Sequence, residues 1–292
     1  MNKKPADSKT KAANGAPGFD LYYSKLYGER WQTLKASLLS DSFPLPLKCR
    51  LSAPEYFLDP ASVLAAATLP LEGAESVLDM CAAPGGKSLV LASLMERGAR
   101  LKCNERSFDR FKRLERSLRD HLPEGLLERV SISCGDGALL CKKEDCLYDA
   151  ILLDAPCSSE RHVIKDSRYL SQWSPARAKS LAMQQWALVS SAFRLLQAGG
   201  FMLYSTCALD PSENIGVTER LAKKFPAAVF ASEREVRSFQ ARAKEKLSPF
   251  YDVSSLPDFE PSGDGFLVLP DAQNGAGPIF FCLVKKAFSE QA

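Results

Sequence analysis

The sequence predicts an α/β protein with a mostly parallel, doubly wound sheet that ends in an antiparallel hairpin. From about residue 75, short apolar runs alternate with segments of helical periodicity, which is typical of strand–helix units in a parallel sheet. The chain then closes with the apolar runs GFLVLP and PIFFCLVKK, separated by the turn DAQNGAG. This pattern indicates a β-hairpin.

The composition is ordinary for a soluble globular protein, with 46% hydrophobic and 25% charged residues among 292. The net charge of +3, from 38 Lys and Arg against 35 Asp and Glu, is too small to indicate nucleic-acid binding by itself. No apolar run approaches the ~18 residues of a membrane span. We therefore expect no membrane partner, and we expect a monomer.

The nine cysteines occur without an export signal, which predicts a reducing, cytoplasmic location and no disulfides. There is no CxxC pair, and the only histidines are His121 and His162. A bound metal is therefore not expected.

Three regions are predicted along the chain. Residues 1–18 contain four lysines and one acid and are interpreted as a disordered basic tail, with a weak RNA-contacting arm as the alternative. Residues 19–70 are predicted as a helical extension that includes one long helix over FDLYYSKLYGERWQTLKASLL. A second helix is expected after Asp59, an N-cap, with Pro60 at its first position. Residues 71–292 form the α/β domain.

Within this domain we predict five parallel strands: SVLDM, ARLKCNE, VSISCGD, DAILLDAP and FMLYSTC. The fourth is nearly all apolar, as a strand buried on both faces should be. The predicted helices are SLVLASLMERG, ended by Gly98, then SFDRFKRLERSLRDHL, and a helix from about Pro175 to Leu196, N-capped by Ser174 and stopped by Gly199 and Gly200. Residues 232–261 are charged and are predicted to be irregular.

The unusual residues of the chain all lie at the carboxyl ends of predicted strands, where ligands bind in open α/β sheets. The loop AAPGGKS resembles a P-loop, but GxxxxGK[ST] would need a glycine where Cys81 stands, which excludes an NTPase. What remains is a glycine-rich turn that allows close backbone approach to a ligand, at a helix amino end that favours a carboxylate. The alternative is a tight turn with no ligand.

Two acids at neighbouring strand ends extend this site. Glu105 could accept hydrogen bonds from ribose hydroxyls, and Asp136 could accept from the amino group of an adenine. Each has an equally ordinary interpretation, as a surface glutamate and as a turn aspartate before glycine. Together with the loop they describe an adenosine-type cofactor, either S-adenosylmethionine or a dinucleotide, and the absence of GxGxxG counts against the dinucleotide.

Cys157 and Cys207 end two neighbouring strands, which suggests covalent chemistry rather than two unrelated core residues. A free thiol with a pKa near 8.5 is only a few per cent thiolate at neutral pH, so positioning must supply much of the activation. Beside a methyl donor, such a thiol suits an unreactive carbon such as carbon 5 of a pyrimidine, which becomes nucleophilic once a thiolate adds to carbon 6. Asp154 is placed to stabilise the adduct at ring nitrogen 3.

Three motifs, LDMCAAPGGKS, LLDAPCSS and YSTCALDPSEN, together resemble the Nop/Sun family of RNA (cytosine-5) methyltransferases. They span residues 79–214 in the family's order. The start FDLYYSKLYGERW and the variant DAPCSSERH resemble the short branch that includes the animal mitochondrial ribosomal-RNA enzyme.

The resemblance implies the Rossmann-like fold of S-adenosylmethionine-dependent methyltransferases. It implies that Cys207 attacks carbon 6 of cytosine, that Cys157 aids release, and that Asp154 contacts the base near the cofactor. DNA cytosine methyltransferases place the nucleophile at the position of Cys157, so swapped cysteine roles remain an alternative. For the cofactor, it implies binding by Cys81, Ala82, Ala83, Pro84, Gly85, Gly86 and Lys87 at the methionine part, by Glu105 at the ribose, by Arg110 beside the adenosine end, and by Asp136 and Gly137 at the adenine.

The implied substrate is RNA, most plausibly structured ribosomal RNA, because the target base must leave its stack. The chain lacks an obvious accessory RNA-binding domain, so targeting is expected from the core surface or from a protein or ribosomal-subunit partner. Three groups of basic residues are candidates: Arg161, His162 and Lys165; Arg106, Arg110, Lys112, Arg113, Arg116 and Arg119; and residues 234–246 with Phe239.

The second group alternates with the acids Asp109, Glu115 and Asp120, which favours a solvated helix face. The first group has a solvated loop as its alternative. Two rival functions are a catalytically silent RNA-binding or ribosome-assembly protein on the same fold, and a methyltransferase that acts on DNA or free nucleotides.

Overall fold

The computed structural model describes residues 14–48, 54–144 and 147–288. Its helices are α1 (Gly15–Tyr27), α2 (Arg30–Leu39), α3 (Pro60–Ala67), α4 (Gly86–Leu94), α5 (Phe108–His121), α6 (Glu124–Leu127), α7 (Glu160–Lys165), α8 (Ser167–Ser171), α9 (Pro175–Leu195), α10 (Ile215–Lys224) and α11 (Glu233–Leu247). Its strands are β1 (Leu45–Leu47), β2 (Tyr56–Leu58), β3 (Ser76–Asp79), β4 (Arg100–Glu105), β5 (Val130–Cys134), β6 (Tyr148–Asp154), β7 (Leu196–Thr206), β8 (Ala228–Phe230), β9 (Glu260–Ser262), β10 (Gly265–Val268) and β11 (Ile279–Lys286). Among the described helices, none combines the length and the apolar character that crossing a membrane requires.

The central sheet has the strand order β5-β4-β3-β6-β7-β11-β10-β9, with β8 also paired to β11. Strands β5, β4, β3, β6 and β7 are parallel, whereas β11 runs antiparallel to β7 and forms a hairpin with β10. The reversal of strand order at β3 and β6 is that of a doubly wound sheet. The predicted fold class and the C-terminal hairpin are therefore confirmed.

Helices cover both faces of the sheet. Successive residues of β6 alternate between two hydrophobic clusters: Ala150 and Leu152 pack with residues of α3, α4, α5 and α11, and Ile151 and Leu153 with residues of α9 and α10. Side chains alternate across a strand, so the two clusters lie on opposite faces of the sheet. β6 is buried on both, as its apolar sequence predicted.

The N-terminal region differs from its predicted boundaries. Helix α1 already begins at Gly15, inside the predicted tail of residues 1–18, while residues 1–13 lie outside the described residues. The predicted long helix is divided at Gly28, which has a φ of 55° and ends α1. Helix α3 is capped by Asp59 as predicted. It was predicted to belong to the helical extension of residues 19–70, but it packs in the core with α4 and α11.

One predicted helix end and one predicted helix stop signal were wrong. Helix α4 ends at Leu94, four residues before Gly98. Helix α9 ends at Leu195, and Gly199 and Gly200 lie within β7 instead of stopping the helix. A Cβ on Gly200 would lie 2.7 Å from the carbonyl oxygen of Asp149, so this glycine allows β7 to approach β6 where the register shifts.

The charged segment predicted to be irregular contains the 15-residue helix α11. Ser232 and Glu235 form a capping box at its start. Val236, Gln240, Ala243 and Leu247 recur at helical spacing and are buried. High charge on the remaining positions hid this narrow apolar stripe.

Candidate active site

The carboxyl ends of the parallel strands form one edge of the sheet, and the predicted site residues meet there. The loop of residues 80–87 follows β3, Glu105 ends β4, and Asp136 follows β5. Asp154 ends β6 next to Cys157, and Cys207 follows β7.

The loop between β3 and α4 turns at Gly85, whose φ of 115° is a backbone conformation that favours glycine. A Cβ on Gly86 would lie 2.8 Å from side-chain carbons of β2, so α4 begins in close contact with that strand. On the other side, the Arg110 guanidinium of α5 donates to the carbonyl oxygen of Ala83. The loop is therefore fixed by β2 and α5.

A cavity of about 210 Å³ lies at the ends of β4 and β5. It is lined by Met80, Cys81, Asn104, Glu105, Arg106, Asp136, Gly137, Ala138, Pro156, Gln184, Ala187 and Leu188. Oε1 of Glu105 accepts from the Ser107 backbone N–H at 2.9 Å, whereas Oε2 is buried without a hydrogen-bond partner and lies 3.6 Å from the Arg110 guanidinium. A buried acceptor of this kind is costly unless a ligand donates to it. A ribose hydroxyl is such a donor, so the cavity fits the adenosine part of the cofactor.

Asp136 and Gly137 form the far wall of this cavity. Oδ1 of Asp136 accepts from a backbone N–H two residues on at 3.0 Å, and Oδ2 lies 3.9 Å from Nε of Arg106. A Cβ on Gly137 would lie 2.9 Å from side-chain carbons of both Met80 and Leu188. Glycine therefore lets the wall pack without pushing those side chains into the cavity.

A smaller cavity of about 50 Å³ lies beside the loop and is lined by an acid that the sequence did not single out, Asp79. Its Oδ2 accepts from the Ser88 hydroxyl at 2.6 Å, and its Oδ1 is buried without a hydrogen-bond partner. Burial raises the pKa of Asp79 to about 7. The signal for it was an acid that ends an apolar strand next to the glycine loop. The unpartnered oxygen fits an ammonium group, as in the methionine part of the cofactor.

The lining of the smaller cavity consists of Tyr56, Leu58, Asp79, Cys81, Ala82, Ala83, Pro84, Gly86, Lys87 and Asp154. Cys81 lines both cavities, so they lie next to each other around one side chain. Burial raises the pKa of the Cys81 thiol well above its usual value, which makes this side chain a neutral wall.

An ion pair joins the cofactor loop to the cysteine strands. Nζ of Lys87 lies 2.8 Å from Oδ2 of Asp154, and Oδ1 of Asp154 accepts from the Ser205 hydroxyl at 2.8 Å. Burial alone would lower the pKa of Lys87, but the Asp154 carboxylate more than offsets this and the pKa is raised. Lys87 therefore stays charged beside Asp154, and the negative charge of a Cys207 thiolate also favours its protonated form.

The two cysteines meet with their sulphur atoms 2.8 Å apart, as free thiols. The Ser159 hydroxyl lies 3.1 Å from the Cys207 sulphur, and the Cys207 backbone N–H donates to the Cys157 sulphur at 3.3 Å. The hydrogen bond from the Cys157 thiol lowers the pKa of Cys207 and raises that of Cys157. Cys207 is therefore the sulphur that is favoured as a thiolate.

The segment after Cys207 is held by its own polar side chains. The Thr206 hydroxyl donates to Oδ1 of Asn214 at 2.6 Å, and Nδ2 of Asn214 donates to the carbonyl oxygen of Ala208 at 2.9 Å. The Ala208 N–H in turn donates to the Thr206 hydroxyl oxygen at 3.2 Å. The sequence TCALDPSEN thus fixes the backbone on both sides of the cysteine.

A third cavity, of about 440 Å³, has Cys207 in its wall. It is lined by Ser42, Asp59, Ser62, Ser159, Arg161, His162, Lys165, Cys207, Gly277, Pro278 and Ile279. All three basic residues of the first predicted RNA group therefore lie beside Cys207. Two of them also make structural contacts, since Arg161 donates to the carbonyl oxygens of Ser37 and Gly275, and Lys165 to that of Ser40.

Several of the other basic candidates form ion pairs with nearby acids. Arg237, Arg242 and Lys246 of α11 form ion pairs with Glu233, Asp258, Glu72 and Glu96, and Phe239 packs edge-on against Phe201. On α5, Lys112 and Arg119 both pair with Glu115. This arrangement matches the solvated helix face favoured for α5, and it removes Phe239 as an exposed stacking residue.

The fold and this set of cavities are those of a Rossmann-like, S-adenosylmethionine-dependent methyltransferase. A family model described as 16S rRNA methyltransferase RsmB/F matches residues 66–269. The chain belongs to this family, which confirms the predicted resemblance to Nop/Sun-type enzymes.

Relatives and a solved structure agree with this assignment. The chain is 31% identical to the 5-cytosine rRNA methyltransferase nsun-4 of Caenorhabditis elegans, over 82% of this chain and 51% of the relative. It is 32% identical to the mitochondrial tRNA (cytosine(34)-C(5))-methyltransferase of Danio rerio, over 80% of this chain and 61% of the relative. It thus spans between half and two thirds of their lengths. The fold matches the structure of NSun6 from Pyrococcus horikoshii with SFG, with a TM-score of 0.63 and 22% identity over 80% of this chain and 54% of that one.

Proposed function

We propose that the chain methylates carbon 5 of a cytidine in RNA, with ribosomal RNA as the substrate. The observation that carries this proposal is the contact between Cys157 and Cys207, 2.8 Å apart, beside the cofactor cavities. A pair of thiols at this place is suited to form and release a covalent adduct with a pyrimidine ring.

The proposed reaction begins at Cys207, whose lowered pKa increases its thiolate fraction near neutral pH. The thiolate adds to carbon 6 of cytosine, and the electron pair of the ring double bond makes carbon 5 nucleophilic. Bound S-adenosylmethionine supplies the methyl group that carbon 5 takes up. Loss of the carbon 5 proton to a solvent or protein base and elimination of Cys207 then restore the double bond.

Cys157 and Asp154 assist different steps of this reaction. Cys157 keeps its proton, because its pKa is raised by the contact with Cys207, and it can donate a hydrogen bond to the departing Cys207 sulphur. Asp154 is oriented by Lys87 and Ser205, within the same edge of the sheet, to contact the base at ring nitrogen 3.

The target base enters through the cavity that contains Cys207. Its volume of about 440 Å³ accommodates a nucleotide turned out of its stack. Arg161 and Lys165 give one wall a positive charge that suits the RNA backbone, and His162 lies in the same wall. The core surface around this cavity, with any protein partner adding to it, is our proposed RNA-binding surface.

Transfer RNA is the second candidate substrate, because one relative is described as a tRNA (cytosine(34)-C(5))-methyltransferase. We also propose that the chain acts as a monomer. A cytoplasmic location stays a prediction that rests on the nine cysteines, while the name of the Danio rerio relative places that protein in mitochondria.

The proposal is tested with purified protein, S-adenosylmethionine carrying a tritiated methyl group, and equal amounts of small-subunit ribosomal RNA, tRNA or single-stranded DNA. Digestion to nucleosides should place the label in 5-methylcytidine from ribosomal RNA. Label in tRNA alone would select the second candidate, and label in DNA alone would contradict an RNA enzyme. Cofactor binding without label in any nucleic acid would favour a silent RNA-binding protein.

A further inference from the structure

Three tyrosines of α1 donate hydrogen bonds to the neighbourhood of the cysteines. The Tyr22 hydroxyl donates to Oδ2 of Asp210 at 2.8 Å, and the Tyr27 hydroxyl donates to the carbonyl oxygen of Leu209 at 2.8 Å. Both acceptors lie two or three residues after Cys207. Helix α1 therefore contacts the segment that carries the proposed nucleophile, although it is about 180 residues away in the sequence.

The third tyrosine reaches a buried carboxylate that lies between the two cysteine loops. The Tyr23 hydroxyl donates to Oε1 of Glu160 at 2.5 Å, and the Ser158 hydroxyl donates to the same oxygen. Oε2 of Glu160 accepts from the backbone N–H of Leu209 at 2.8 Å. Ser158 directly follows Cys157, so this one carboxylate joins α1 to the loops of both cysteines.

Glu160 is fully buried, and both of its oxygens are hydrogen-bonded. A second buried acid, Glu213, also holds the loop that contains Cys157. Its Oε2 accepts from the Ser158 N–H at 3.0 Å and from Nε2 of Gln185 at 2.8 Å.

The tyrosine rings and hydroxyls have separate tasks. The Tyr23 ring packs among Phe19, Trp31 and Trp173, with ring centroids 4.7 to 6.0 Å away, and so contributes to the core of the N-terminal region. Its hydroxyl is directed at Glu160. A Tyr-to-Phe substitution can therefore remove the hydrogen bond and leave the ring contacts in place.

We propose that α1 is a clamp that holds Cys157 and Cys207 in their reactive arrangement, with Tyr23 and Glu160 as positioning residues and with Tyr22 and Tyr27 supporting them. The inference rests on the proposed function for its consequence, because a displacement of about 1 Å between reacting groups can lower a rate by roughly 100-fold. The clamp acts through Ser158 and Leu209 on the two sulphurs and touches neither the substrate nor the cofactor.

The test compares Tyr23→Phe, Tyr27→Phe and Glu160→Gln with the wild type and with Tyr148→Phe. The control is matched, because the Tyr148 hydroxyl also donates to a carboxylate, Oε2 of Glu144, but Tyr148 begins β6 at the opposite edge of the sheet. Four quantities are measured: melting temperature, affinity for S-adenosylmethionine, kcat and KM for methyl transfer, and the pH profile of iodoacetamide alkylation at Cys207, followed by mass spectrometry.

For Tyr23→Phe we expect cofactor affinity within about twofold of the wild type, a kcat at least about tenfold lower, and an unchanged KM. The alkylation midpoint of Cys207 should rise, because Cys157 and Ser159 would no longer be aligned as donors to its thiolate. The charges of Asp154, Lys87 and Glu160 also act on this thiolate. The shift in the alkylation midpoint is therefore compared among the variants of this one series. Tyr27→Phe should show a smaller change in the same direction, and Tyr148→Phe none.

Wild-type kcat and alkylation profile in both Tyr23→Phe and Glu160→Gln would overturn the clamp. A fall in cofactor affinity together with a fall in melting temperature would also overturn the clamp, because it would show that the substitution destabilises the whole protein. The alkylation profile needs no RNA, so a wild type that methylates no RNA but shows the expected shift in Tyr23→Phe would reject the proposed function and retain the clamp.

Discussion

The carboxyl ends of the parallel strands form an edge of the sheet that has two halves. The halves differ in whether the buried carboxylate oxygens have hydrogen-bond partners. In the cofactor half, formed by residues 79–87, 105 and 136–137, Asp79 and Glu105 each keep one buried oxygen without a hydrogen-bond partner. In the cysteine half, formed by residues 154–160 and 205–214, both oxygens of Asp154 and of Glu160 are hydrogen-bonded.

This difference suits the two tasks. Unpartnered acceptors in the cofactor half become satisfied when a ligand with ribose hydroxyls and an ammonium group binds, so their cost contributes to specificity. Saturated acceptors in the cysteine half hold two sulphurs in one arrangement before any substrate arrives. One half is prepared for a ligand, and the other is preorganised for chemistry.

The largest effect is expected where the halves are joined, at Lys87. Lys87→Gln leaves the Asp154 carboxylate without its cation, and we expect a loss of about 2–3 kcal/mol of stability, below the range for fully buried pairs because the Asp154 side chain is 32% exposed. Activity should fall at least about 100-fold. Thermal unfolding and methyl transfer measure both. Lys102→Gln, which breaks the Lys102–Glu144 pair elsewhere in the protein, should lower stability and leave the activity of the folded protein intact.

The next largest effect is expected on cofactor affinity alone. Glu105→Gln replaces the carboxylate, whose Oε2 has no hydrogen-bond partner but lies 3.6 Å from the Arg110 guanidinium, by an amide. It should weaken S-adenosylmethionine binding by roughly 10-fold, about the value of a hydrogen bond to a charged group. Calorimetric titration measures the affinity. The alkylation rate of Cys207 should not change, and an unchanged affinity would mean that Glu105 does not contact the cofactor.

The smallest effect concerns Glu213, the exception in the cysteine half because its Oε1 has no hydrogen-bond partner. Burial raises the pKa of Glu213 to about 7, so the folded protein retains a proton that the unfolded chain releases near pH 4. The stabilisation from this proton is complete below the unfolded pKa and is lost as pH rises through about 7.

Glu213→Gln should therefore flatten the fall in unfolding free energy between about pH 4 and pH 7, by on the order of 1–3 kcal/mol relative to the wild type. Urea unfolding at a series of pH values measures it. Parallel pH curves for the two proteins would show that Glu213 is ionised in the folded state throughout.

The same contrast explains what could be predicted from the sequence. The residues of the cofactor half each end a strand or follow one directly. The glycine loop, Glu105 and Asp136 could therefore be placed by counting from strand ends. The strand-end rule also brought Cys157 and Cys207 to one edge, although only the structure shows their sulphurs in contact.

The contacts that hold the cysteine half were not predictable, because they join segments about 50 to 190 residues apart. Tyr23 and Tyr27 are apolar positions of the predicted helix and Tyr22 was not singled out, and nothing local reveals that the three hydroxyls have acceptors near Cys207. Glu160 begins the segment for which a solvated loop was one alternative, and only the structure shows that it is buried. Asp79 was missed for a different reason, because the predicted strand SVLDM extends one residue beyond it, whereas β3 ends at Asp79.

The most direct test of the account is to trap the adduct. Cys207→Ala, Cys157→Ala and, as a control, the exposed Cys134→Ala are each incubated with ribosomal RNA and S-adenosylmethionine, then resolved on a denaturing gel. The account predicts a protein–RNA band that survives denaturation with Cys157→Ala, no band and no methylation with Cys207→Ala, and wild-type behaviour with Cys134→Ala. A trapped band with Cys207→Ala and none with Cys157→Ala would contradict it and reverse the roles of the two cysteines.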